Sequence, residues 1–232
     1  MKLRPTHFAW CLLFLAAIPA WSQRGNLGID VGQVNDKFGA VPSTNDLTFN
    51  VNGEFVILKS KPKDNTPDLV AGGEIRLPSD SNSGAKEFMV YAGVRFHIKN
   101  LIIGADGQVH KMILPTTVYQ NQVFIHDTIE VLEIAPVIRY KFGSGNHLFL
   151  EAKGAPEFSP RFKIPAGALV LPNPNLDHGY FVRGTVGYTY NHYFIRASYE
   201  SRYFKFAPDA GNPNGLYNWL SNSITGGVGV TF

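Results

Sequence analysis

Residues 180–203 read YFVRGTVGYTYNHYFIRASYESRY, and their alternation decides the fold. Tyr180, Val182, Gly184, Val186, Tyr188 and Tyr190 fall on one face, and Phe181, Arg183, Thr185, Gly187 and Thr189 on the other. A period of two marks a β-strand, whose successive side chains point to opposite sides. Asn191-His192 supplies a two-residue turn, the length of a tight hairpin. That turn predicts Arg183 directly across from Glu200. It also sets Gly184 across from Tyr199, an aromatic expected to cover a bare glycine.

The same pattern extends in both directions. Ten runs carry it, near 26–34, 46–58, 68–77, 87–98, 101–113, 130–142, 146–155, 179–190, 193–205 and 220–232. Residues 26–34 and 68–77 are the weakest, so eight strands is the alternative count. No run has a helical period. No segment after the N-terminus approaches the roughly 18 consecutive apolar residues of a transmembrane helix, so a membrane-spanning form would have to be a closed barrel.

Alternation alone does not say which face is inside. A soluble lipocalin-like barrel that binds an apolar ligand buries its apolar face; a membrane barrel turns that face to lipid. Four features point to the membrane. Connections run alternately long (35–45, 78–86, 114–129, 156–178, 206–219) and short (99–100, 143–145, 191–192), with 59–67 as the exception. The polar face mixes charges of both signs with small residues, and hairpin registers bring opposite charges together. Arg183 falls opposite Glu200, Arg95 diagonal to Asp106, and a three-residue turn at 143–145 sets Arg139 diagonal to Glu151 and Glu133 diagonal to Lys153. That turn must be odd in length, or Glu151 and Lys153 would move to the apolar face. Aromatics form two bands: Phe96, Tyr140, Phe142, Tyr188, Tyr190, Tyr193 and Phe232 at the short-turn ends, and Phe49, Phe88, Tyr180 and Tyr203 toward the long loops. Such bands are the girdles of a barrel crossing two interfaces. The last run alternates Ile224, Gly226, Val228, Val230 and Phe232 with Thr225, Gly227, Gly229 and Thr231.

Over about residues 24–232 this pattern resembles the small bacterial outer-membrane β-barrels in the OmpA-like or OmpX-like style. The resemblance is one of architecture. It implies an up-and-down antiparallel barrel with short periplasmic turns, long external loops and contact with outer-membrane lipid. It also implies an assembly signal at Val228, Val230 and Phe232, read by the barrel-assembly machinery. Val230 stands where an aromatic is common, and Gly226 thins the stripe.

The N-terminus reads as a targeting segment. Lys2 and Arg4 precede an apolar run from Phe8 to Ile18, and Ala20-Trp21-Ser22 places small residues at the cleavage positions. The expected domains are a signal peptide at 1–22 and a barrel at 23–232, exported to the outer membrane of a Gram-negative-type cell. Cys11 is the only cysteine, so disulfides hold nothing together after cleavage. Removing 1–22 deletes Lys2 and Arg4 and no acid, taking the formal charge from +3 to +1. A near-neutral chain has no electrostatic basis for binding nucleic acid.

Chemistry is sparse. His126-Asp127 and Asp177-His178 are neighbour pairs that could serve an outer-membrane hydrolase of the lipid A-modifying or protease-like kind, but no nucleophile or second acid stands at a fixed spacing. His97 and His110 fall on the interior face. Nothing has metal or cofactor spacing. Residues 156–178 hold five prolines and an apolar patch from Ile164 to Leu171, a candidate contact for an external partner or a lid. A turn at Gln120-Asn121 would join 101–119 to 122–142 as one long hairpin with Gln108 opposite Glu133. The expected function is structural, anchoring or adhesive, with a lumen filled by side chains: Arg95, Asp106, Glu133, Arg139, Glu151, Lys153, Arg183 and Glu200.

Overall fold

A computed structural model describes residues 24–38, 43–59, 66–80, 84–113, 117–119, 122–124, 128–143, 145–163, 176–206 and 218–232. The strands are β1 (Gly25–Phe38), β2 (Thr44–Leu58), β3 (Asp68–Pro78), β4 (Lys86–Ile98), β5 (Leu101–Ile113), β6 (Thr117–Tyr119), β7 (Gln122–Phe124), β8 (Thr128–Phe142), β9 (His147–Lys163), β10 (Leu176–Tyr190), β11 (Tyr193–Phe206) and β12 (Asn218–Thr231). All but β6 and β7 join in one closed antiparallel barrel in which β1 pairs with β12. The barrel has ten strands, not eight. β1 and β3, whose sequence pattern is weakest, are both paired on their two sides. Segment 1–22, with Ala20 and Ser22, lies outside the described residues.

The apolar face points outward. Ile224 is 66% exposed and Val90 64%, whereas Arg202 is 1% exposed and Glu133 fully buried. A water-soluble fold has the opposite polarity, so the lipocalin-like alternative is set aside. Aliphatic surface between two aromatic bands suits a bilayer, because lipid replaces water on that face and backbone groups are satisfied around the ring. Outward Phe55 is nevertheless buried. Its ring lies against bare Gly25 and Gly53 and 6.0 Å from the Phe232 ring, covering the seam where the barrel closes.

Several local expectations are corrected. Tyr199 pairs with Gly184 but does not cover it; nothing lies within 4 Å of where a Cβ would be. The Tyr199 hydroxyl donates instead to Asn222 Oδ1 at 3.2 Å. Aromatics meet glycines on the inner face: Phe149 against Gly187, Phe194 against Gly28 and Gly229, and Tyr91 against Gly72. The β8–β9 connection keeps the odd parity but is longer than three residues, since Phe142 pairs with Leu148. Gly143 and Gly145 make this possible with φ of +94° and +82°, which L side chains adopt at a cost. The expected connection 156–178 is partly strand: β9 runs to Lys163 and β10 starts at Leu176. A register shift between Glu130 and Leu132 accommodates Pro160 in β9, since a proline cannot donate to a regular ladder. The patch 164–171 lies outside the described residues.

Tyr119 pairs with Gln122, and the expected turn at Gln120-Asn121 lies outside the described residues. The β6–β7 hairpin is a separate two-stranded sheet, not a continuation of the barrel ladder. Its register matches that ladder all the same: Ile113–Thr128 and Thr117–Phe124 are pairs of one series. Gln108 falls opposite Glu133 within it.

Candidate functional site: a plugged lumen over a basic vestibule

The strand alternation that sends aliphatics outward sends the charges inward, where they form layers. In the middle layer Arg183 of β10 donates through Nε to Glu200 Oε2 at 2.6 Å. It also reaches across the barrel to Glu74 of β3 at 2.7 and 2.9 Å. Arg76 contacts Glu87 and Glu200 at 3.1 Å each and Glu74 at 3.2 Å. Every one of these groups is largely withdrawn from water. Such charges persist only when paired, and each pair here is charge-assisted.

Toward the long-loop end aromatic rings join the ionic filling. Phe204 and Trp219 stack at 5.5 Å with 7° between ring planes, and Phe181 lies beneath the Arg202 guanidinium at 5.1 Å. Arg202 meets His110 and stands 3.7 Å from Glu133 and 3.9 Å from Glu200. His110 is also 3.1 Å from Glu87. Gln108 donates to Glu133, a short direct contact.

Below the middle layer, Arg95 donates to Asp106 at 2.6 Å and to Glu54 at 2.8 Å. Lys153 does not reach Glu133. It meets Asp106 at 2.8 Å, because the longer β8–β9 turn pairs Lys153 with Val137. Arg139 lies directly across from Glu151, not diagonal to it, and donates to it through Nε at 2.6 Å. Arg196 clasps Asp30 at 2.8 and 2.6 Å. The open space left in this part of the lumen is about 70 Å³, barely room for a few waters.

The lumen opens at the short-turn end. Two adjoining cavities of about 380 and about 310 Å³ share Asn26, Arg139, Lys141 and Thr231 on their walls. His97 lines the larger and is hydrogen-bonded through Nε2 to Asp68 Oδ2 at 2.9 Å. His147 lines the smaller.

The hairpin registers bring neighbours on adjacent strands together, such as Arg183 with Glu200 and Arg95 with Asp106. They do not reach the cross-lumen contacts of Glu74 and Arg76, which follow from closure of the whole ring. Among the sequence candidates for hydrolysis, His126 and Asp127 lie outside the described residues. His178 meets Asp177 at 3.0 Å, but both are exposed, and the His178 ring lies beside outward Tyr203 at 6.1 Å, on the barrel exterior. Among the described residues no three His, Asp or Glu side chains gather as a metal site.

Among solved structures, the chain is similar to the outer membrane protease OmpT from Escherichia coli at 10% identity and a TM-score of 0.50, covering 91% of this chain and 97% of that one. It is also similar to Neisserial surface protein A (14% identity, TM-score 0.42, 90% and 97% covered). A further likeness is to Ail, the attachment invasion locus protein of Yersinia pestis (11% identity, TM-score 0.29, 90% and 98% covered). No protein-family model and no curated protein matches the chain. At these identities the likeness is one of architecture. A closed ten-strand antiparallel ring, greasy outside and ionic within, is the fold of the small outer-membrane β-barrels.

Proposed function

We propose that this protein is a structural barrel of the Gram-negative outer membrane, closed to solute flow, that anchors or adheres through its long-loop end. The observation that carries the reading is the filled lumen. Arg76 and Arg183 tie opposite walls together through Glu74 and Glu200, and the Phe204–Trp219 stack sits above them. Small barrels are filled in this way, whereas conducting ones keep a wider water-filled bore. The hairpin 117–124 and the loops then offer the surface for an external partner, with loop 156–178 the second candidate. Export uses the signal peptide 1–22, and assembly uses Val228, Val230 and Phe232 as the C-terminal signal.

The test is reconstitution into planar bilayers. The expected result is an intact membrane with no steady conductance steps. Large, stable steps at low voltage would overturn the closed-barrel reading.

A further inference from the structure

We infer that the vestibule at the short-turn end binds a small oxyanion, a carboxylate or phosphate group, against Lys141. The case rests on charge accounting along the lumen. Arg76, Arg95, Arg139, Lys153, Arg183, Arg196 and Arg202 each stand against a carboxylate. Lys141 is the inward-facing cation that, among the described residues, has no carboxylate against it. The charged groups that act on it electrostatically are Arg139 and Arg24, both positive.

The acids on the vestibule wall are engaged elsewhere. Glu54 accepts from Arg95 at 2.8 Å, Asp68 meets His97 at 2.9 Å, and Glu151 is held by Arg139. Lys141 lies on the wall shared by the two cavities, so an anion entering from the short-turn end meets its ammonium at the junction. Lys141, partly shielded from water and with no carboxylate against it, raises the local potential and concentrates anions there. The combined space is within the usual range for a small-molecule site. The ionic layers above block further passage, so the site is a terminus and not a stage in transport.

The test is isothermal titration of the detergent-purified barrel with inorganic phosphate, with citrate, and with glucose as a neutral control. Saturable binding of at least one anion is expected, and none of glucose. Lys141→Met weakens it about tenfold or more, the loss expected when one charge-assisted contact is removed. Lys141→Gln repeats the test with a polar, uncharged side chain, and heat-modifiable migration certifies that each variant is folded. Lys99→Met, on a turn at the same rim, leaves binding unchanged. Which anion binds distinguishes a phosphate from a carboxylate ligand. Absence of saturable anion binding, or equal affinity in folded Lys141→Met or Lys141→Gln, overturns the inference.

Discussion

Arg183 of β10 and Glu74 of β3 are 109 residues apart in the chain, yet their side chains meet across the lumen at 2.7 Å. The contact links opposite walls of the ring and shares Glu74 with Arg76. Removing the guanidinium leaves two buried carboxylates, Glu74 and Glu200, to share the charge of Arg76. Arg183→Met is therefore expected to destabilise the barrel by about 3–5 kcal/mol, as for other broken buried pairs. Urea unfolding in vesicles, followed by the fluorescence of Trp219, measures it. Adding Glu74→Gln to Arg183→Met costs less than the two single changes summed, because they share one interaction.

The outward face makes a depth-dependent prediction. Val51 lies on the lipid face between the aromatic bands, and Leu58 lies at the short-turn end of the same strand. Val51→Arg is expected to cost about 2–4 kcal/mol and Leu58→Arg about 1 kcal/mol or less, since the penalty for charge falls toward the interface. Equal costs in the same unfolding assay would contradict the orientation.

Two glycines three residues apart on β10, Gly184 and Gly187, separate by face. A Cβ at Gly184 meets nothing within 4 Å, so Gly184→Ala gains about 0.5–1 kcal/mol from reduced chain entropy. At Gly187 a Cβ would lie 2.4 Å from the Phe149 ring and 2.8 Å from the Ile195 carbonyl oxygen. Gly187→Ala is expected to cost about 1–3 kcal/mol through forced displacement of that ring. The difference in urea midpoint between the two variants, opposite in sign, is the readout.

The barrel ladder is complete at Ile113–Thr128, so the β6–β7 hairpin contributes no pairing to the ring. Replacing 114–127 with Asn-Gly should leave heat-modifiable migration intact and stability within about 1 kcal/mol. If adhesion depends on this hairpin, whole-cell binding to host surfaces falls in the same variant. Loss of barrel assembly would show that the hairpin serves folding instead.

Much of this fold is legible in the sequence because a barrel strand is a strict two-state code: each residue faces lipid or lumen. The register of β10 with β11 follows from one two-residue turn, and with it the Arg183–Glu200 pair. What escaped was whatever depends on loop length or ring closure. The β8–β9 turn has the required parity, but parity leaves length open: a three-residue turn points Lys153 at Glu133, and the longer turn brings it to Asp106. The grip of Arg76 on Glu200 is invisible locally, since β11 meets β3 only through the folded lumen. Lys141 reads as one more polar-face charge. Its isolation emerges only when the partners of all its neighbours are known.

The closing seam joins the first barrel strand to the last, from Asn26–Thr231 to Phe38–Trp219. Until β12 arrives, β1 presents a bare row of donors and acceptors to whatever is near it. No partial ring can satisfy those groups in lipid, so insertion must be a late, nearly all-or-none event that waits for the final segment. A cell making this protein must therefore shield an unfinished edge until the ring closes.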